Sequence, residues 1–168
     1  MKLFLVYLGG TAPGANIELH DIRFVAGACI EDTYTQLREQ WFGTKAGLHI
    51  DSYMQVSDID GYAVSIENSA PEQAQKLFFI NYGGYYPAKI AEQHDFMLCV
   101  ASSAQEAKTK AKQVLLTDAD SQHKDDLFEL DDCFAVEQLN GLYVHLTPSG
   151  KSQPMRPDWS GYNVIAVE

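Results

Sequence analysis

The chain repeats itself. Residues 2–21, KLFLVYLGGTAPGANIELHD, and residues 76–95, KLFFINYGGYYPAKIAEQHD, align without a gap at an offset of 74 and agree at nine of twenty positions. Unrelated stretches of ordinary composition would share about one. The shared residues are Lys2, Leu3, Phe4, Gly9, Gly10, Pro13, Glu18, His20 and Asp21, each with its counterpart in the second stretch. The same offset pairs His49 with His123 and Asp51 with Asp125, and about six extra residues then bring Gly61 onto Gly141. A duplication of this length makes each copy one supersecondary unit, and a unit of some 70 residues buries little core alone, so the copies are expected to pack together.

Periodicity gives the order strand, strand, helix, strand, strand in each copy. Residues 3–8 form a near-continuous apolar run, as in a strand buried on both faces. Gly9 and Gly10 would end it, since paired glycines tolerate positive φ at a turn. A second strand is expected at 22–28, with its counterpart at 96–101. Ile30, Tyr34, Leu37 and Trp41 follow at helical spacing and make one face, with Glu31 and Asp32 in the first turn and Gly43 just past the end. In the second copy Ser103 and Glu106 spell a capping box before a stripe of Ala104, Ala107, Ala111, Val114 and Leu115. Asp60-Gly61 and Asn140-Gly141 read as the turns of terminal hairpins. The fold class is therefore α+β: two tandem ββαββ repeats, in a β-grasp-like order, related by a pseudo-twofold axis. Residues 1–70 make the first repeat and 71–147 the second, with 148–168 a C-terminal loop and short strand.

Composition excludes several function classes. A net charge of −11 over 168 residues argues against nucleic acid and against anionic membrane surfaces, both of which need basic protein surface. The opening MKLFLVYLGG resembles a short leader, but its near-copy at 76–84 marks it as a strand of the fold. Cys29, Cys99 and Cys133 show no metal-ribbon or CxxC spacing and read as reduced thiols of a cytoplasmic protein. A second copy of the chain, another protein or a small ligand remain as partner classes.

The string GGxxPGxNIELHD, with the apolar strand before it and a helix and LHID after it, resembles a small bacterial family known as domain-of-unknown-function family 1543. The resemblance covers both copies, residues 2 to about 146. Copy two departs from the string at Ala88 and Ile90, which stand at the positions of Gly14 and Asn16. The family is similar in carrying one or two copies of the unit. It implies an architecture and no activity.

One constellation could carry chemistry. Glu18-x-His20 and His49-x-Asp51 recur as Glu92-x-His94 and His123-x-Asp125. Residues two apart on a strand share a face, and both pairs fall at strand starts that a crossover helix returns to one sheet edge. Two imidazoles and two carboxylates suit zinc, manganese or iron. The competing expectation is a structural brace, in which these side chains hydrogen-bond to loop backbone and were copied with the duplication. No nucleophile–base pair or cofactor fingerprint stands out, so the function expected is a non-enzymatic binding or interaction module. A metal-dependent, hydrolase-like enzyme built on these pairs is the alternative. Cys29 near a helix start, a Gly9-Gly10-Gly14 anion nest and a Tyr82, Tyr85, Tyr86 cluster are further candidates.

Overall fold

The computed structural model describes residues 1–84, 88–114 and 130–166. Its strands are β1 (Lys2–Thr11), β2 (Leu19–Gly27), β3 (Thr44–Val56), β4 (Asp58–Ile59), β5 (Tyr62–Glu67), β6 (Lys76–Gly84), β7 (Gln93–Ala101), β8 (Leu130–Ala135), β9 (Gln138–Leu139), β10 (Leu142–Pro148) and β11 (Trp159–Val164). Helix α1 (Tyr34–Gln40) follows a 3₁₀ turn at Glu31–Thr33, and α2 is Ala104–Lys112. The protein is thus mixed α+β and, among the described residues, mostly antiparallel strand.

Each copy gives one antiparallel sheet with its first strand at the centre: β11-β3-β1-β2 in the first and β7-β6-β8 in the second. The terminal hairpins leave these sheets and pair with each other in the order β4-β5-β10-β9. The last long strand of each copy therefore joins the other copy rather than its own sheet, which departs from a β-grasp layout. Ser65 faces His145 in the β5–β10 register, flanked by Val64 with Leu146 and Ile66 with Val144. Ser65 and His145 are repeat-equivalent positions 80 apart, and the two flanking pairs exchange equivalents, so the pairing is symmetric about Ser65 and His145.

The central strands alternate between two cores. Leu3 and Leu5 pack with Phe24, Ala26, Leu77, Phe79, Leu98 and Val100 in a core drawn from both copies. Phe4, Val6 and Leu8 point the other way, onto Ile30, Leu37 and Trp41 of the α1 segment. Phe78 and Ile80 meet Ala107 and Ala111 of α2 on the matching outer face. Burial on both faces is why β1 and β6 read as unbroken apolar runs. Layering is helix, sheet, sheet, helix. Phe24 and Phe79 meet edge-on across the middle with centroids 5.6 Å apart, and Asp60 Oδ2 accepts a hydrogen bond from Val100 N at 3.0 Å across the same boundary.

Local chemistry explains most ends. Ser103 Oγ accepts from Glu106 N at 3.2 Å, as expected of an N-cap, but Glu106 reaches back to Ser102 N and Oγ rather than to the cap residue. Ala104 and Val114 are exposed, so the buried stripe of α2 is only Ala107 and Ala111 among the described residues. Asp60 and Gly61 (φ 49° and 87°), like Asn140 and Gly141 (φ 49° and 83°), have the left-handed pairs that two-residue hairpin turns demand. The 149–158 segment is anchored by Gln153, whose Oε1 accepts from Ser57 N and Asp58 N. No described helix is long and apolar enough to cross a membrane.

Gly9 and Gly10 do not end their strand. Both lie inside β1, and neither has positive φ. A Cβ on Gly9 would overlap the His49 imidazole and the Asp51 carboxylate, and a Cβ on Gly10 would lie 2.8 Å from the Trp41 ring. Close approach by side chains on each face, not turn geometry, calls for glycine at both positions.

The repeat offset also changes along the chain. Leu3, Phe4 and Leu5 pair with Val56, Gln55 and Met54, while Phe78 and Phe79 pair with Ala135 and Phe134. The third strands therefore correspond at an offset of 80, and the six extra residues precede β8 instead of following it. Asp51 thus matches Asp131, since each is skipped by an irregularity in its register. The sequence position matching His49 at this offset is 129, a glutamate. His123 and Asp125, paired with His49 and Asp51 at the offset of 74, lie outside the described residues.

Candidate functional site

Three adjacent strands place the first-copy site. Gly9 at the centre pairs with His20 on β2 and His49 on β3. The two imidazoles therefore stand in one row on the face toward the second copy, with no side chain between them. A β-bulge completes the set. Tyr7 pairs with Ser52 and Leu8 with Ile50, so Asp51 is the extra residue. The bulge shifts the phase of β3, putting His49 on the face of Ser52 and Met54 while Ile50 remains in the α1 core. A bulge re-aims a side chain in this way. Glu18 arrives from the loop just before β2.

The four side chains form a ring in which nitrogen and oxygen alternate. His49 Nε2 lies 3.1 Å from Glu18 Oε1 and 3.2 Å from Asp51 Oδ1. His20 Nε2 lies 3.3 Å from Asp51 Oδ2 and 3.6 Å from Glu18 Oε2. His49 is 1% exposed. Its Nδ1 is 2.8 Å from Gly47 O, an acceptor only, so Nδ1 carries a proton and Nε2 is the nitrogen turned toward the carboxylates. His49 Nε2 and Asp51 Oδ2 are shut from water and have no hydrogen-bond partner among the described residues. Those short contacts to His49 are close enough for hydrogen bonds but wrongly aimed. Donors around a common centre would show the same misalignment.

The donor set fits a small divalent cation. Bonds of about 2.05 Å to tetrahedral N and O ligands imply ligand–ligand edges of about 3.3 Å. The four nitrogen–oxygen contacts, 3.1 to 3.6 Å, are close to that length but run to both oxygens of each carboxylate, so one oxygen of Glu18 and one of Asp51 would have to serve both imidazoles to make a four-donor shell. Among the described residues no group of three or more His, Cys, Asp or Glu side chains is arranged so that it could hold a metal ion as it stands. Cation binding would therefore require the Glu18, His20 and Asp51 side chains to turn their donors onto a common centre with the unpartnered Nε2 of His49. Gly47 O holds the outer nitrogen of His49, the usual means of fixing a ligating imidazole.

Aromatic rings flank both histidines. Tyr7 stacks on His20 at 5.2 Å with planes 4° apart, and Tyr162 covers His49 at 4.1 Å. Burial, with the Asp51 and Asp21 charges behind it, pushes the Tyr7 hydroxyl up from its ordinary range. Sequence reasoning assigned no site role to Tyr7 and read Tyr162 only as part of the final strand. The phase of β1, which puts Tyr7 and Gly9 on one face, was the available signal. Tyr162 had none, because its approach depends on the register break between Ser160 and Asn163 on β11.

The remaining candidates resolve differently. Glu92 and His94 lie 3.9 Å apart at the matching edge of the second sheet. Asp21 faces away from His20 and bonds its own strand through Ile22 N and the Arg23 guanidinium. Cys29 is exposed. A hydrogen bond to the Asp32 backbone lowers its pKa, yet the Glu31 and Asp32 side chains and slight burial leave it raised overall, contrary to an activated thiol. Gly14 is left-handed at φ 86°, but the extended Gly9 and Gly10 do not form a nest with it. Tyr82 is buried, its hydroxyl donating to Lys108 O at 3.1 Å; Tyr85 and Tyr86 lie outside the described residues. His145, within 2.6 Å of Ser69 O, is a brace of the kind weighed for the other histidines.

The family Domain of Unknown Function (DUF1543) matches the chain twice, over residues 15–66 and 89–139. Among solved structures, the crystal structure of a protein Il1583 from Idiomarina loihiensis is 44% identical, with a TM-score of 0.80, over 98% of this chain and 97% of that one. No curated protein matches significantly.

Proposed function

That the chain belongs to the DUF1543 family, as a member with two units, is the premise from which we propose a divalent-metal-binding protein. Its cation site is Glu18, His20, His49 and Asp51. One observation carries the reading: a closed ring of two imidazoles and two carboxylates at ligand spacing, with its innermost atoms buried and unpartnered. Lone pairs gathered this closely repel unless positive charge lies among them, and a buried polar atom without a partner costs about 1–3 kcal/mol. A proton on His49 Nε2 points along one direction only and cannot serve both carboxylates. A cation serves all four groups. The brace reading accounts for His49 Nδ1 on Gly47 O and leaves Nε2 unexplained.

Zinc, manganese and iron are the cations that suit mixed imidazole and carboxylate donors. A second reading, metal-dependent hydrolysis, is favoured by His20, which belongs to the ring and also borders an open cleft. A bound cation would supply Lewis-acid polarisation and an activated water there. In both readings Glu18 and Asp51 compensate the cation's charge, while Gly9 keeps the space clear. Two ββαββ units related by a pseudo-twofold axis provide the scaffold, and three free thiols suit a cytoplasmic setting.

Calorimetric titration of metal-free protein with zinc and with manganese tests the proposal. One saturable site per chain at micromolar metal is expected, weakening as pH falls because protons compete for the imidazoles. His20→Ala should abolish it with little loss of fold. Absence of saturable binding in the wild type ends the reading.

A further inference from the structure

The two copies share some positions of their common core and differ at others, including those at its mouth. Leu3 and Leu77 are the same residue at repeat-equivalent positions, while Ala26 and Val100 are both aliphatic. Toward the site edge the register sets Tyr7 against Asn81, Ile22 against Phe96, Ser52 against Asp132 and Met54 against Phe134. Tyr7, Ile22, Asn81, Phe96, Asp132 and Phe134 line a cleft of about 380 Å³ between the copies, with His20 on one wall and His94 on the other, while Ser52 and Met54 border a neighbouring groove. The copies also differ deeper in the core, at Leu5 with Phe79 and Phe24 with Leu98, so the groups on the cleft walls, not the asymmetry, define what would fit there.

The lining specifies that occupant. Phe96 stacks on Phe79 at 5.8 Å, and Phe79 meets Phe134 at 5.4 Å, giving an aromatic floor. Phe134 is nonetheless 46% exposed, an open ring beside a cavity. Asn81 Oδ1, on the same face, is shut from water and has no hydrogen-bond partner among the described residues; an acceptor so placed calls for a donor. Arg23 is neutralised by Asp21 at the rim, which leaves Asp132 as the net charge and disfavours anions. The volume suits one small molecule.

We propose that this cleft binds a flat aromatic molecule, neutral or cationic, which draws the Asn81 amide oxygen out of its buried position to accept an N–H, lays its ring on Phe96 and Phe134, and directs a polar end to the cation site at His20. The last clause rests on the metal reading, whereas the aromatic site itself does not. Benzamide is the probe, since it carries a ring and an amide donor. Titrated into metal-free full-length protein and followed by NMR, it should bind saturably at millimolar concentration, while benzoate should not. Asn81→Leu should weaken benzamide about tenfold or more and raise the melting temperature, because an unpartnered buried amide has been removed. Phe134→Ala is the second variant, and it should weaken the probe without that gain. Unsaturable benzamide binding, equal binding of benzoate, or unchanged affinity in both variants would overturn the site. Benzohydroxamic acid tests the link to the cation and should bind zinc-loaded protein about tenfold more tightly than metal-free protein. If benzamide binds as stated but zinc makes no difference to the hydroxamate, the aromatic site stands and its coupling to a cation falls.

Discussion

Gly9 stands opposite His49 in the β1–β3 register, and the imidazole fills the volume that a Cβ on Gly9 would need. That contact makes Gly9→Ala a probe of the site that leaves every donor atom in place. The added methyl would press on His49 Nε2 and Asp51 Oδ2 together. Cation binding should be lost, and overpacking should cost about 1–3 kcal/mol. Gly10→Ala is the matched control. Its methyl meets the Trp41 ring on the opposite face, so it should cost a similar amount while cation affinity survives. Urea denaturation and zinc titration of both variants check the contrast. Equal loss of binding in the two would mean that general loosening is responsible.

Trp41 anchors the α1 side. It is 5% exposed, packs in the cluster of Phe4, Val6, Leu8 and Leu37, and donates Nε1–H to Thr44 O at 3.1 Å. Trp41→Ala should cost about 3–5 kcal/mol through cavity formation. In a Trp159→Phe background its fluorescence should resist iodide quenching, and ready quenching would contradict the packing.

Neither copy should fold alone. The inner core mixes Leu3, Leu5, Phe24 and Ala26 with Leu77, Phe79, Leu98 and Val100, and the β5–β10 pairing joins the hairpins. Residues 1–75 expressed separately would expose all of the first set and leave β5 as an edge, which invites aggregation. Circular dichroism and urea titration of that fragment should show no cooperative transition. A cooperative, monomeric fragment would refute shared folding.

What was legible in the sequence was whatever duplication and periodicity encode. The repeat gave the strands at 3–8 and near 22–28, the buried stripe through Leu37 and Trp41, and both hairpin turns, because each is a local pattern, although the helix itself is shorter than its stripe, ending at Gln40 with Trp41 extended. It also singled out Glu18, His20, His49 and Asp51, which the structure brings together. The reason differed. Same-face alternation was expected for His49 and Asp51, whereas a bulge at Asp51 sets their phase, and bulges carry no sequence period. The glycines were misread because close approach by His49 and Trp41 is a tertiary fact. The partner of β5 was illegible for a similar reason, since its hydrogen bonds cross to the other copy. Offset 74 held through the ungapped string and failed beyond α2, where inserted residues leave no mark of their position.

Alkaline stability offers a test of the second copy's interior. Burial raises the Cys99 thiol from 9.0 to about 12, with the Asp60 charge adding to the effect, and burial likewise raises the Tyr82 hydroxyl from 10.0 to about 12. Both groups are neutral when protonated, and folding favours that form. In the unfolded chain they ionise near their ordinary values, so the folded state holds more protons between about pH 9 and 12. Stability is then greatest below the unfolded values and falls as pH rises through this window, by at most about 1.4 kcal/mol per pH unit for each group. Tyr82→Phe removes one contribution together with the hydrogen bond to Lys108 O, so it should cost about 1 kcal/mol at pH 8 and flatten the loss above pH 10. Urea midpoints at pH 8 to 11.5, for wild type, Tyr82→Phe and Cys99→Ala, measure the slopes. A thiol reagent at pH 8 should modify exposed Cys29 quickly and reach Cys99 only on unfolding. A wild-type midpoint that stays level to pH 11.5, or rapid reaction at Cys99 in the folded state, would show that this interior is open to water.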